Sequence, residues 1–415
     1  MRIPALFAGV SAAALCLAPA AATAADRGKV SVDVSGFLNA AAAFVDQDEG
    51  TFVDLRDYGF AMEGEIHFKA KATLDDGLHV GMRAELELNR DNKNSFGPPG
   101  TGTESDDIID EVYLFVEGDW GQVQFGNQDG AADQLAVFAP TTARATRIND
   151  GEIYFFEDGS NNDRFQPIVL RTDVFASDDN MKIIYFTPRW MGLQAGVSYM
   201  PEPTKNFSGF GSRADNEFGQ QSEMWEFGVN YQRDYGNIHV AADVTYLTGS
   251  NEDPASIGDE ILYGLEDDLE EWGAGLVVGV DLDATRVIVG GSYRNSNASR
   301  GIIFSDGSTF FVDDAVDTEI WELGAMLQRG PWRASVGYIE GTSQDLAFAI
   351  PADILVDVDG HAYEASVGYV LGPGIQFTLG YQHFTYEQDP LLFTFFNDEF
   401  KASADIVYLE TALQL

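Results

Sequence analysis

The sequence predicts an all-β fold, a transmembrane antiparallel β-barrel of about sixteen strands, from three observations. Two neighbouring runs, 60–74 and 78–89, alternate apolar and polar residues with the two-residue period of a strand. Similar pairs of runs, each joined by a very short turn, recur to the last residue. The connections between pairs are long and polar, so short turns and long loops would lie at opposite ends of the barrel.

The N-terminal segment predicts an export signal. Arg2 is its only charged residue, an apolar stretch covers 3–17, and residues 22–24 form an A-x-A cleavage motif. We therefore expect residues 1–24 to be removed and residues 25–415 to form the barrel. A membrane helix is disfavoured because the apolar stretch is short and no charged stop-transfer segment follows it.

Composition limits the possible partners and chemistry. The 67 acidic and 24 basic residues give a net charge of −43, which makes nucleic acid a poor partner. A content of 45% apolar and 12% aromatic residues favours a folded protein over a disordered acidic chain. Cys16 is the only cysteine and lies in the export signal, so the mature chain would hold neither a thiolate site nor a disulfide.

The strands are predicted as hairpins between a first strand, 30–44, and a last strand, 402–415. The hairpins pair 60–74 with 78–89, 109–117 with 120–127, 181–187 with 191–199, 223–233 with 237–247, 271–282 with 284–294, 318–329 with 332–340, and 363–371 with 375–386. The resulting number of strands is even, as in bacterial barrels, and strands of about ten residues cross a bilayer when tilted.

Side-chain parity predicts which residues face lipid and which face the lumen. The outward set is apolar: Phe227, Val229, Tyr231, Val240, Val244, Leu276, Val278, Val287, Val289, Val336, Val367, Phe377 and Leu379. The inward set is polar: Glu226, Asn230, Gln232, Asp243, Arg286, Arg294, Arg333, Glu364, Gln376 and Gln382. Polar inward side chains predict a water-filled lumen rather than a packed core. The six tryptophans fall near strand ends, which predicts an aromatic girdle at each membrane interface.

Three segments carry a family resemblance: the opening 30–32, the segment 121–128 that leads into a long loop, and 184–188 with Gly192 beyond it. In their order and spacing the chain resembles the general bacterial outer-membrane porins, most closely the alphaproteobacterial type, over essentially its whole mature length. Chains of this family usually end on an aromatic residue, whereas this chain ends on Leu415, a departure that bears on its assembly.

The resemblance implies a homotrimer of sixteen-stranded barrels in the bacterial outer membrane, in contact with its lipid and lipopolysaccharide. It implies that each barrel is a water-filled channel for the passive diffusion of small hydrophilic solutes and ions. It further implies that the third long loop, 128–180, folds into the lumen and narrows the channel. Inward packing would account for the length of this connection, because long structureless loops are uncommon in compact domains.

Charged residues of this loop and of the inner wall predict a pore constriction. The predicted residues are Asp129, Asp133, Asp150 and Glu152 on the loop, with Lys69, Lys71, Arg83, Arg286, Arg294 and Arg333 on the strands. Acids that face bases across the opening would produce a transverse field that admits small polar solutes. The alternative is that the loop acids are solvated and the bases pair with neighbours such as Glu85. The net charge predicts a weak cation preference.

No cofactor is predicted. Acidic clusters at 106–111, 266–271 and 313–317 could bind Ca²⁺, although none has the spacing of an EF-hand and solvated loops are the favoured interpretation. An enzyme is disfavoured because the five histidines are scattered and the sequence lacks H-E-x-x-H, G-x-S-x-G and P-loop motifs.

Two other classes of protein stay open. A solute-specific nutrient channel is the main alternative, although few bases are present for phosphate and few inward aromatics for sugars. A soluble or surface-adhesive β-protein is the third interpretation.

Overall fold

The computed structural model describes most of the chain from residue 30 onward. The described residues are 30–48, 55–75, 77–88, 109–157, 168–202, 214, 221–251, 255–257, 260–263, 268–297, 302–303, 309–310, 317–346, 355–388 and 400–415. The predicted export signal, 1–24, lies outside them.

Sixteen antiparallel strands form a closed barrel in which each strand pairs with its neighbours in sequence and the last pairs with the first. The barrel strands are β1 Val30–Asp48, β2 Tyr58–Thr73, β3 His79–Glu87, β4 Ile109–Gly118, β5 Gly121–Asn127, β6 Met181–Phe186, β7 Leu193–Met200, β8 Gln221–Tyr235, β9 Ile238–Asn251, β12 Leu269–Leu282, β13 Thr285–Ser296, β16 Thr318–Arg329, β17 Trp332–Leu346, β18 Leu355–Gly372, β19 Ile375–Gln388 and β20 Phe400–Gln414. Two small separate hairpins are β10 Ala255–Ile257 with β11 Glu260–Tyr263, and β14 Ile302–Ile303 with β15 Thr309–Phe310. The predicted fold class is therefore confirmed.

The short turns all lie at one end of the barrel, as the hairpin pattern predicted. Gly236 and Gly330 occupy such turns at φ of 66° and 56°, a backbone conformation that glycine adopts without steric cost. The strands extend further than predicted at the opposite end, since β18 begins at Leu355 rather than at residue 363. Pairing with β17 continues through these extra residues and satisfies their backbone groups.

The two faces of the barrel follow the predicted alternation. Val229, Val336 and Leu379 are 49%, 57% and 58% exposed, whereas the inward side chains Glu226 and Asn230 are almost fully buried. Apolar side chains exposed in this way are suited to lipid, because water would make their exposure unfavourable.

Aromatic side chains cluster at both ends of the outer face. At the long-loop end, the rings of Tyr246 and Trp272 lie 4.2 Å apart, and other aromatic pairs continue the band. At the short-turn end, the rings of Trp332 and Tyr369 lie 4.8 Å apart. These two bands lie where amphipathic rings are placed best at the two membrane interfaces.

The lumen is not polar throughout, which corrects the expectation of a purely aqueous interior. Phe384, Tyr386 and Tyr408 face inward and pack with Phe155 and Phe156 of the long connection between β5 and β6. Parity places these side chains inside, but their apolar surface is acceptable there because the connection covers it. One side of the barrel therefore holds a packed apolar cluster.

One short helix, α1 Ala131–Gln134, lies in the same connection. No helix in the described part of the chain has the length and apolar character needed to cross a membrane.

We expect a charge on the outer face to destabilise the barrel strongly. Val336 lies between the aromatic positions Trp332 and Tyr338 of β17, so Val336→Lys should lower the free energy of unfolding by about 2–4 kcal/mol in lipid vesicles. The matched control is Gln232→Lys, which places the same charge on the lumen side, and denaturant titration measures both. Equal stability of the two variants would contradict the assigned faces.

Candidate functional site

The described residues of the connection between β5 and β6, 128–157 and 168–180, lie along the inner face of the barrel. There, wall carboxylates accept hydrogen bonds from the main chain of the connection. Glu226 accepts one from the N–H of Ala132 at 2.9 Å. The same pattern recurs along the wall, with Asp243 accepting from Val137 at 2.9 Å and Glu322 from Ala139 at 2.7 Å. These carboxylates supply acceptors to main-chain N–H groups of an irregular segment.

Glu410 of β20 makes the densest of these contacts. Its carboxylate is fully buried and accepts hydrogen bonds from the N–H groups of Arg144, Ala145 and Thr146 at 3.0, 3.0 and 2.9 Å. The hydroxyl of Thr146 donates a further bond at 2.8 Å. Three successive amides on one anion fix the position and the orientation of this stretch of the connection.

Two buried cations hold the ends of the connection. The Nζ of Lys182 donates to the carbonyl oxygens of Gln128 and Ser177, which ties its start to its finish. Arg294 donates to the carbonyl oxygen of Arg171 at 3.2 Å and forms an ion pair with Glu271 at 3.0 Å. Both cations therefore act on the backbone of the connection and lie away from open water.

Inward-facing glycines make room for the connection on the wall. A Cβ at Gly324 would lie 2.9 Å from the carbonyl oxygen of Pro140, and a Cβ at Gly228 would lie 3.0 Å from that of Ala131. Larger residues at these positions would push the connection away from the wall. Carboxylate acceptors and small wall residues together determine its course.

A cavity of about 780 Å³ remains beside the connection. Its lining runs from Glu87 and Asp110, near the long-loop end, to Gly374 and Gln414, beside the short turns. The lining includes residues of β2, β3 and β4 on one side and residues of the connection on the other. The cavity thus follows the barrel axis as a passage.

The structure brings six of the ten predicted constriction residues together around this passage: Arg83, Asp129, Asp133, Asp150, Glu152 and Arg333. The other four lie elsewhere. Lys69 stacks over the ring of Phe115 at 5.3 Å, and Lys71 pairs with Glu117 at 3.8 Å. Arg286 pairs with Asp281 at 2.5 Å in a separate pocket, and Arg294 is buried behind the connection. Parity predicts the face of the barrel on which a side chain lies. It does not predict how far along the barrel axis the side chain lies or toward which neighbour it extends.

The distribution of charge around the passage also differs from the predicted one, in which acids of the connection face bases of the wall. The wall contributes acids that were not among the ten predicted constriction residues: Glu63, Glu65, Glu85, Glu87, Asp110 and Glu111. The connection contributes bases as well as acids, namely Arg144, Arg147 and Arg171. The alternation that placed Lys69 on the lumen face places Glu63 and Glu65 there too, so the signal for these acids was present in the sequence.

The acids outnumber the bases in the lining. Among the described residues, thirteen carboxyl groups and five guanidinium groups line the passage. Several of the guanidinium groups are engaged by carboxylates, since Arg83 pairs with Glu85, and Arg171 lies 3.4 Å from both Asp133 and Asp150. The passage is therefore strongly acidic.

Burial changes the protonation of acids in the connection. Burial, reinforced by the nearby carboxylates of Asp129 and Asp110, raises the pKa of Asp179 to about 9. Burial also raises the pKa of Asp173 to about 6, although the adjacent Arg171 opposes this rise. The Asp179 carboxyl therefore keeps its proton at pH 7, whereas most of the Asp173 carboxyl is ionised there.

Two groups of side chains in the described residues have the geometry of metal ligands. They are Glu65 with His67 and Glu85, and Glu111 with Asp129 and Asp179. Half of the twelve acids in the three clusters considered for Ca²⁺, at 106–111, 266–271 and 313–317, lie outside the described residues. Among the six that are described, Glu271 pairs with Arg294, Glu270 accepts a hydrogen bond from the hydroxyl of Tyr246, and Asp110 and Glu111 line the passage.

Comparison with known proteins gives a family and a fold. A family model described as Gram-negative porin matches residues 11–389. No curated protein matches the chain significantly. Solved structures with a similar fold include three bacterial proteins: OmpT of Vibrio cholerae in its trimer form (14% identity, 93% of this chain and 99% of that chain, TM-score 0.53), an anion-selective porin from Comamonas acidovorans (13%, 93% and 100%, 0.51), and Salmonella typhi OmpF in complex with daunomycin (13%, 92% and 97%, 0.51). At these identities the structural likeness concerns the fold alone.

Removal of the Glu410 carboxylate should release the connection from the wall. We expect Glu410→Ala to lower the free energy of unfolding by about 3 kcal/mol or more, because the donors at 144–146 lose a buried acceptor. Glu410→Gln keeps one carbonyl oxygen and should be milder, and Glu117→Ala, an exposed lumen acid, should have little effect. Denaturant titration measures the order, and equal losses in all three variants would contradict it.

The raised pKa of Asp179 predicts a pH dependence of stability. The folded protein loses stability as the pH rises from about 4, the pKa of this carboxyl in the unfolded chain, toward 9, its pKa in the folded protein. The reason is that the folded state keeps a proton that the unfolded state releases. Asp179→Asn removes this loss, so its advantage over the unmodified protein should grow with pH by at most about 1.4 kcal/mol per pH unit. Unfolding measured at pH 5, 7 and 9 tests this, and an advantage independent of pH would refute it.

Proposed function

Because this chain belongs to the Gram-negative porin family, we infer that its barrel is an outer-membrane channel for the passive diffusion of small hydrophilic solutes and ions. The enzymatic alternative is disfavoured by the same family membership. We propose further that the connection at 128–180 narrows the channel and that the channel prefers cations.

The excess of carboxyl groups around the passage carries the proposed cation preference. Selectivity depends on the charges that a permeating ion passes, and the wall acids Glu63 and Glu65 line the passage together with Glu152 of the connection. Arg147 also lines the passage, but its Nη2 is 3.9 Å from a carboxylate oxygen of Glu152, which weakens its positive field. A cation therefore meets a net negative potential along the passage.

Reversal potentials across a planar bilayer test the preference. In a KCl gradient we expect the sign that corresponds to cation selectivity, and we expect the double substitution Glu63→Gln with Glu65→Gln to shift the potential toward zero. Arg286→Gln is the control, because Arg286 lies in a separate pocket and should leave the potential unchanged. Anion selectivity of the unmodified protein would refute the proposal.

A solute-specific channel is the second candidate. Phe37, Tyr113 and Phe138 line the passage and offer apolar surface to a solute with a hydrophobic face. A channel of this kind would show an ion current that one solute reduces saturably. Free diffusion would show no saturation with any hydrophilic solute small enough to enter.

We also propose that the chain forms a homotrimer in contact with outer-membrane lipid and lipopolysaccharide. The trimer form of the Vibrio cholerae relative supports the homotrimer, and insertion of conductance in steps of three would test it. The A-x-A motif supports removal of residues 1–24, and the N-terminal sequence of the mature protein should begin at Ala25.

A further inference from the structure

Three potential metal ligands meet on the inner face of β2 and β3. Glu65 and His67 are two residues apart on β2, so both project into the lumen, and Glu85 of β3 is the direct cross-strand partner of His67. The Nε2 of His67 lies 2.6 Å from a carboxylate oxygen of Glu65 and 3.2 Å from one of Glu85. The three ligand atoms all lie within 4.8 Å of one another.

We propose that Glu65, His67 and Glu85 bind a divalent transition-metal ion, with Zn²⁺ the best match, in the lumen of the channel. One imidazole and two carboxylates form a ligand set of the kind that Zn²⁺ uses when a water completes a tetrahedron. Tetrahedral bonds of about 2.0–2.1 Å place ligand atoms about 3.3 Å apart. The separation of His67 from Glu85 already fits, and that from Glu65 opens once the metal replaces their hydrogen bond.

A second observation at the site is the crowding of carboxyl groups around the buried Glu85. Its side chain is only 7% exposed, and Arg83 is the ion-pair partner of its Oε1. The carboxyl groups of Glu65 and Glu111 also lie within hydrogen-bonding reach of Glu85. Carboxylates held this close repel one another unless a proton or a cation lies between them.

The surroundings orient the ligands and keep them open to ions. The ring of Phe37 packs edge-on against the imidazole of His67, with centroids 6.0 Å apart, and limits its rotation. Arg83 engages Oε1 of Glu85, which leaves Oε2 turned toward His67. Glu65 and Glu85 line the passage, so a hydrated ion can reach the site from the lumen.

A bound divalent ion would add positive charge to the acidic part of the passage. It should therefore reduce a K⁺ current, because permeating cations then meet a weaker negative potential. This effect on current rests on the proposed channel function. The binding itself rests on the ligand geometry alone, so the two can be measured separately.

Direct binding of Zn²⁺ to the folded protein in detergent tests the site. We compare the unmodified protein with His67→Gln and with His79→Gln, a second lumen histidine that lies at the short turn and bonds to Thr73. We expect His67→Gln to weaken one Zn²⁺ site per chain by at least about tenfold and His79→Gln to leave it intact. Equal binding by the unmodified protein and His67→Gln would overturn the proposal.

Competition with Mg²⁺ distinguishes Zn²⁺ bound by these three ligands from Zn²⁺ that is merely attracted to acidic side chains. Mg²⁺ prefers oxygen ligands in octahedral geometry, so an excess of about a hundredfold should not displace Zn²⁺ from an imidazole-containing site. Displacement by Mg²⁺ would overturn the proposal.

If His67→Gln does not fold, Co²⁺ binding to the unmodified protein replaces the comparison of Zn²⁺ binding between the two proteins. The expected result is the visible absorption of four-coordinate Co²⁺. The spectrum of the hydrated ion alone would overturn the proposal.

Current recordings complete the test. Zn²⁺ should lower the K⁺ current of the unmodified protein and of His79→Gln, EDTA should restore it, and His67→Gln should be insensitive. A protein that binds Zn²⁺ but conducts no ions would contradict the proposed channel and leave the metal site standing. A protein that conducts but binds no Zn²⁺ would overturn the metal site alone.

Discussion

Backbone N–H groups of an irregular segment need acceptors, and in this barrel the inner wall supplies them as carboxylates. Inward acids on several strands accept hydrogen bonds from the connection between β5 and β6, and Glu410 alone accepts from three consecutive amides. A charged acceptor compensates a buried N–H better than a neutral one. The buried acids are in turn stabilised by the amides, so wall and connection each remove a desolvation cost from the other.

The location of the passage follows from this attachment. The connection is held against the strands from β8 to β20, and the apolar cluster around Phe384 and Tyr386 fills the space beneath it on that side. Open space remains next to β2, β3 and β4, and most of the side chains of these strands that line it are acidic. The passage is acidic because this uncovered wall and the connection opposite it both contribute carboxyl groups. The proposed metal site lies on this same uncovered wall.

The sequence was sufficient for the barrel but not for the course of the connection. Two-residue periodicity identified the strands, the lipid face and the girdles, because local alternation directly reflects burial in a sheet. Periodicity does not predict which inward side chains reach the passage. Lys69 of β2 and Arg83 of β3 are cross-strand neighbours that both face the lumen, yet only Arg83 lines the passage. Its side chain turns toward Glu85, whereas that of Lys69 turns toward Phe115. Such choices depend on tertiary neighbours that periodicity does not encode.

The six site residues found together were mostly those of the connection, because any charged residue on a segment packed into the lumen has a high chance of reaching water there. Wall acids such as Glu63 were overlooked although the same alternation pointed to them. Arg294 illustrates the opposite error, as its charge serves a buried carboxylate and a backbone carbonyl rather than the opening. Charge alone does not separate a structural role from a role in permeation.

Glu410 holds the connection through backbone amides rather than side chains, and this has an evolutionary consequence. Every residue except proline carries an amide N–H, so substitutions at Arg144, and at neighbouring positions that face the opening, leave the anchor in place. Selection can therefore retune which solutes enter by exchanging side chains one at a time, while the scaffold that holds them is inherited unchanged.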